Sequence, residues 1–281
     1  MNVITLVKGR ADHLRNLIQG LEQSHLLPEA LWVVHMDEPA GAWASERFPI
    51  YTRRVDGSGG ALPLAAARNR AVQIDPAGPW VFLDVDCIPD PQLLSHYRDA
   101  LFAHPGALHL GQVLYLPEGA AEGASDTAAL RGAAVPHPLA VHRPGPGLPV
   151  DYPLFWSLNF ACMGPVFTHI GGFDEAYQGY GGEDTDFAFR AREQDVPLLD
   201  CAALALHQYH PTYDPPLNHF GAIVDNARTF HQRWRQWPME GWLGAFAARG
   251  LITWDDQGIE VIRPPSTEEI SAARDSSGRG F

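Results

Sequence analysis

Apolar positions in the first hundred residues follow two alternating rhythms. VITLV (3–7) is a short apolar run, and Leu14, Leu17, Ile18 and Leu21 then recur at helical spacing on one face. LWVVH (31–35) and IYTRRV (50–55) predict a second and a third strand. A helix is expected over residues 61–75, and WVFLDV (80–85) has the unbroken apolar character of a buried strand. Asp90-Pro91 predicts another helix start, with Asp90 as N-cap and Pro91 in the first position. Strands alternating with amphipathic helices predict an α/β protein.

The rhythm stops between 116 and 150, where Ala, Gly and Pro dominate, and a segment of that length predicts either a functional loop or lid or a disordered insert. It resumes with LNFACMG (158–164), a helix after residue 182, PLLDCAALALHQYH (197–210) and an aromatic-rich helical stretch over 216–236. The tail after Pro264 is polar and expected to be flexible. The organisation expected is thus a first half (1–115), a loop (116–150), a second half of the same domain (151–263) and a tail (264–281).

Charge narrows the partners. A net charge of −13 over 281 residues argues against nucleic acid or an anionic membrane, so an anionic ligand needs a local cation. The three cysteines are far apart, odd in number and set in apolar runs, which predicts buried free thiols in a reducing compartment. MNVITLVKGR does not read as a signal peptide and no apolar run reaches membrane-spanning length, so a cytoplasmic protein without an integral membrane segment is expected.

Two acidic clusters carry the candidate chemistry. Asp84 and Asp86 end the WVFL run, and residues two apart on a strand point the same way, here at its carboxyl end, where open α/β sheets bind ligands. Two converging carboxylates repel unless a cation joins them. His207 and His210 end another apolar run, and imidazole with carboxylate suits Mn²⁺ better than Mg²⁺, which remains the alternative. Asp86, His210 and His207 are therefore the candidate metal ligands, with the choice between the two histidines open. His219 and His231, in the aromatic-rich stretch, are assigned packing or surface roles. The second cluster is QGYGGEDTDFAFR (178–190), in which Glu183, Asp184 and Asp186 crowd the first turn of a helix. One carboxylate suffices for capping; the other two need another reason.

These residues resemble a known family. IGGFDEAYQGYGGEDTDFAFR looks like the C-terminal signature of β-1,4-galactosyltransferases and related family-2 glycosyltransferases, and VITLVKGRADHL, AAARNRAV and FLDVDCIPD look like the opening strand, the A-R-N segment and the D-x-D strand of family-2 enzymes. The resemblance covers about residues 1–115 and 155–235. It implies the GT-A fold, a mixed α/β sheet flanked by helices in one domain. It also implies an inverting, metal-dependent transfer of a hexose or N-acetylhexosamine from a nucleoside-diphosphate donor, with UDP favoured, to a glycan, glycoside or lipid-linked hydroxyl acceptor. By the same resemblance Asp184 is the catalytic base, while Tyr180, Gly181, Gly182, Glu183 and Asp186 bind acceptor or donor sugar. Val7, Lys8, Arg10, Asp37, Arg68 and Asp84 are expected at the nucleotide. Tyr180 stands where the galactosyltransferases carry a tryptophan. Two other classes remain: a metal-dependent sugar nucleotidyltransferase, which needs no base at the Gly-Gly-Glu-Asp run, and a non-catalytic sugar-binding module, which is indifferent to Asp184→Asn.

Overall fold

The computed structural model describes residues 1–57, 60–123 and 127–275. The expected loop and tail therefore lie in part outside the described residues, at 124–126 and 276–281. The order begins β1 (Asn2–Val7), α1 (Ala11–Glu22), β2 (Leu31–Met36), β3 (Ile50–Val55), α2 (Leu64–Ile74), β4 (Pro79–Leu83), β5 (Cys87–Pro89), α3 (Leu93–Ala103) and β6 (Leu108–Tyr115). It continues with α4 (Thr127–Ala133), β7 (Val135–Pro136), β8 (Asn159–Met163), α5 (Gly164–Ile170), α6 (Glu183–Glu193), β9 (Leu198–His207), β10 (Thr212–Tyr213) and α7 (Phe220–Trp234). The chain closes with α8 (Glu240–Ala248), β11 (Ile252–Trp254), β12 (Ile259–Val261), α9 (Thr267–Ala272) and β13 (Arg274–Asp275).

The main sheet runs β3-β2-β1-β4-β8-β6-β9-β5, with β7 added on β6. It is mixed. β3, β2, β1 and β4 are mutually parallel, β8 is antiparallel to both β4 and β6, β6 and β9 are parallel, and β5 returns antiparallel to β9. Strand alternation divides the core in two. Ile4, Leu6, Trp80, Phe82, Phe160 and Cys162 face the layer formed by α2, α5 and α6. Val3, Val81, Leu83 and Ala161 face α1 and α3, where the periodic Leu14, Leu17, Ile18 and Leu21 are buried. Helices on both faces account for the unbroken apolar runs of β1 and β4. All three cysteines are free and buried.

Several expectations need correction. The Asp90-Pro91 helix begins at Leu93, because Asp90 closes a turn instead: its carboxylate accepts from the Gln92 amide at 3.0 Å and its carbonyl from that of Leu93 at 2.9 Å. The 116–150 segment carries α4, β7 and a short 3-10 turn at Pro138–His142, tied down by Arg143. The tail is ordered through Asp275: Ser266 and Glu269 form a reciprocal capping box on α9, and β13 pairs with β10. No helix among the described residues is long and apolar enough to cross a membrane.

Candidate active site

The site forms where β1, β4 and β9 end, beneath the N-terminus of α6. Asp84 and Asp86 are not related by strand alternation as their spacing suggested. β4 stops at Leu83, and a tight turn closed by Cys87 N–H donating to the Asp84 carbonyl at 2.9 Å carries both residues. The turn sends the two carboxylates to different partners.

Asp84 faces α2 and α6. Arg68, buried on α2, donates to Asp84 Oδ1 at 3.4 Å through one guanidinium nitrogen and to Glu183 Oε1 at 3.1 Å through another. A single guanidinium thus ties the first acidic cluster to the second. Burial drives the Asp84 carboxyl up, opposed by Arg68, and the charge of Asp86 adds to the rise. Asp86 faces α1 and β9. Arg10 pairs with Asp86 Oδ2, and His13 Nδ1 lies 2.5 Å from Oδ1. Asp86, His207 and His210 each present one ligand atom within 4.8 Å of the others. β9 brings His207 there by register, since it sits opposite Cys87 on β5 and Tyr115 on β6. Burial lowers His207 to about 4, with His210, Arg10 and His13 acting the same way against Asp86, so its imidazole is neutral with a lone pair to offer at pH 7. One carboxylate oxygen and two imidazole nitrogens form a donor set that fits a borderline divalent ion such as Mn²⁺.

The glycines before α6 do conformational work. Gly182 caps the helix at φ +88°, Gly181 stands at φ +97°, and a Cβ there would meet Met239 Sδ at 2.7 Å. Asn226 on α7 fixes the run: its side-chain amide donates to the carbonyls of Gln178 at 3.0 Å and Gly181 at 2.8 Å, and its oxygen accepts from the Gln178 amide at 3.1 Å. Tyr180 is thereby held between His219 (ring centroids 4.7 Å apart) and Trp242 (5.8 Å). The packing role expected of His219 is met on that tyrosine, beside the site.

The three carboxylates of α6 have three separate environments. Glu183 is buried against Arg68. Asp184 accepts from the Thr185 amide at 2.7 Å, and burial, then the charge of Glu183, raise its carboxyl to about 7, with Arg68 pulling the other way. Asp186 is fully buried. It accepts from Arg190 Nε at 2.8 Å, Arg233 Nη1 at 2.6 Å, Trp234 Nε1 at 3.0 Å and Tyr177 Oη at 3.2 Å. The sugar-binding role expected of Asp186 is therefore corrected: its oxygens are saturated by α6 and α7, and it is a structural anchor.

Among the residues expected at the nucleotide, Val7 sends its side chain into the core beside α1. Lys8 pairs with Asp37 at 3.1 Å, and Asp37 also accepts from the Gly57 amide at 2.6 Å. Those two bonds, the Gly57 one foremost, hold the Asp37 carboxyl below its ordinary value. Arg10 pairs with Asp86 and Arg68 with Asp84, within the two groupings described above. Two residues went unread in the sequence. His13 lies three residues past Arg10, on the first turn of α1, and that spacing is the signal that marks it. Gln208, buried, accepts from Asn16 at 2.7 Å and donates to the His13 carbonyl at 3.1 Å, bracing α1 against β9. Nothing in the sequence marks it.

Fold and site together define a GT-A architecture: a mixed sheet with the carboxylate turn at its rim and an acidic helix start facing it. Residues 137–213 match the family described as the N-terminal domain of galactosyltransferase. Validoxylamine A glucosyltransferases of Streptomyces hygroscopicus subsp. jinggangensis (strain 5008) and subsp. limoneus are each 26% identical over 156 residues. Those alignments cover 48% of this chain and 36% and 34% of the relatives, so the chain spans about a third of their length. Among solved structures, GalNAc-T7 with UDP, GalNAc and Mn²⁺ superposes with a TM-score of 0.53 at 13% identity, over 82% of this chain and 49% of that one. S. aureus TarS 1–349 in complex with UDP-GlcNAc gives 0.52 at 13% identity, over 74% and 58%.

Proposed function

We propose that this protein is a metal-dependent, inverting glycosyltransferase that moves a hexose or N-acetylhexosamine from a UDP-sugar to an acceptor hydroxyl. The observation that carries the reading is the pair of hydrogen bonds from Arg68 to Asp84 and Glu183, which ties the strand-end acids to the acidic helix start and supports a cleft between them. Solved neighbours with UDP, or with UDP-GlcNAc, in the same fold support the donor class.

Asp184 is the base. In water a carboxylate is too weak to take a hydroxyl proton; raised to about 7, it is matched to neutral pH. Glu183 keeps Asp184 high by its charge, and Arg68 keeps Glu183 itself in place. Tyr180, gripped by His219 and Trp242, would meet the sugar with its ring edge and hydroxyl. Arg10, paired with Asp86, would meet the donor diphosphate. Asp86, His207 and His210 would hold Mn²⁺ or Mg²⁺, which supplies positive charge for the departing diphosphate. Direct attack from the Asp184 side, opposite the diphosphate, inverts the anomeric carbon.

The test is product analysis. The protein is incubated with UDP-glucose, UDP-galactose and UDP-N-acetylglucosamine, Mn²⁺ and glycoside acceptors, and the anomeric configuration is read by NMR. The reading expects UDP release with a β-linked product from these α-linked donors. An α-linked product, or release of pyrophosphate from UTP and a sugar phosphate in place of UDP release, refutes it.

A further inference from the structure

Beside the two acidic groupings lies a cavity of about 270 Å³, floored by β6 and covered by the 3-10 turn Pro138–His142 and Trp156. Tyr115 separates the two: its ring lies 4.9 Å from that of His207 in the metal-ligand cluster and 5.6 Å from that of His137 in the cavity wall. Leu158, another wall residue, accepts the Asp84 amide at 2.9 Å through its carbonyl. The cavity thus adjoins the reacting end of the site.

Its lining is apolar over most of its area, and its buried polar groups are already committed. Asn159 donates to the carbonyls of Gln112 at 3.0 Å and Ala203 at 2.9 Å while accepting from Tyr97 at 2.7 Å. Arg143 and Asp200 bind each other through two bonds, of 2.6 and 3.2 Å. Arg143 also donates to the Leu110 and Gly111 carbonyls, and Asp200 accepts from the Gly145 amide. With these groups committed, a sugar ring entering here would meet only a few wall side chains such as Gln112 and Tyr115, whereas a hydrocarbon group needs no polar partner. The covering segment continues the same character outward: Val135 (51% exposed), Leu139 (39%), Val141 (82%) and Leu148 (52%) hold apolar surface in solvent.

We infer that this cavity binds the apolar aglycone of an amphiphilic acceptor, an alkyl or lipid-like chain whose sugar or hydroxyl end reaches Asp184. The inference rests on the transferase reading only for the word acceptor; the pocket's chemistry stands without it. Tyr115 is the partition along which the head group passes from the apolar chamber to the charged one.

The test uses the full chain and two probes, octyl β-D-glucoside below its micellar concentration and methyl β-D-glucoside, measured by calorimetry with and without UDP and Mn²⁺. The octyl compound is expected to bind at least about tenfold more tightly, since several methylenes leave water. Ala140→Trp, which fills the chamber, and Leu139→Asp, which charges its mouth, each bring the two affinities together, with unchanged circular dichroism melting as the control for folding. Equal binding of the two glucosides by the parent protein, or a preference that survives both substitutions, overturns the inference. So does a maltoside that outbinds the octyl compound, which would make the chamber a sugar subsite. UDP release is followed in parallel. Pocket-dependent binding without transfer from any UDP-sugar sinks the transferase reading alone, and transfer to both glucosides with equal KM sinks the aglycone pocket alone.

Discussion

The three acids on one helical turn show how neighbouring residues of like charge reach different ends. Asp184 has a carboxyl raised from an ordinary value of 3.8 to about 7, so the folded state holds its proton to higher pH than the unfolded chain. Its contribution to stability therefore falls as pH rises through that interval, and the full penalty, on the order of a few kcal/mol, is present above pH 7. Asp184→Asn removes it. Differential scanning calorimetry should find the variant more stable than the parent at pH 8.5, with a smaller gain at pH 5, while transfer drops by about a hundredfold or more. Parent activity should also rise through about pH 7 as the base form appears. Asp186→Ala acts in the opposite sense. It leaves Arg190 and Arg233 without their buried partner, costing about 3–5 kcal/mol, and a chemical-denaturation midpoint well below the parent's is expected. An Asp186→Ala protein as stable as the parent would return that residue to the list of ligand-binding candidates.

At the scale of elements, the tail read as loose packs against the chain that leaves His210. β13 pairs with β10, which begins two residues after His210, and Asp214 donates through its amide to the Ala273 carbonyl at 2.8 Å. Truncation after Arg263 removes these restraints on the chain leaving His210 without touching a strand of the main sheet. The expected result is retained secondary structure with Mn²⁺ affinity about tenfold weaker, a loss typical of groups that support a ligand from behind; titration calorimetry measures it. Unchanged affinity would assign the tail no part in the site. The first four strands were legible to within one or two residues because apolar runs and their polar breaks are local facts, whereas β5 and β6 were not read. The Asp90 helix start, the structured 127–145 segment and the ordered tail were not. The last two depend on a partner far along the chain, Arg143 on Asp200 and β13 on β10, while at Asp90 a local turn wins over the helix cap that the Asp-Pro pair suggests.

For the whole molecule, the acidic surface and the clustered cations at the cleft predict that an anionic nucleotide is held only with help. UDP together with Mn²⁺ at about a hundred times the dissociation constant should stabilise the protein by about 2.7 kcal/mol, visible as a rise in Tm of several degrees. UDP with EDTA should give far less, and Asp86→Ala should lose most of the combined effect. An equal shift with and without metal would remove the cation from the account.

What the sequence determined by itself was the alternation of elements, the α/β class, and the identity of most charged groups at the site, because side-chain chemistry and hydrophobic period are written residue by residue. Tertiary structure alone decided which carboxylate does what. Spacing put Asp84 and Asp86 on one face, and a backbone turn parted them; adjacency grouped Glu183, Asp184 and Asp186, and Arg68, Thr185 and the cations Arg190 and Arg233 gave each its own surroundings. The proton affinity of an acid and its freedom to meet a ligand depend on which distant groups fold against it and how much water they exclude, and neither quantity exists until the chain has closed.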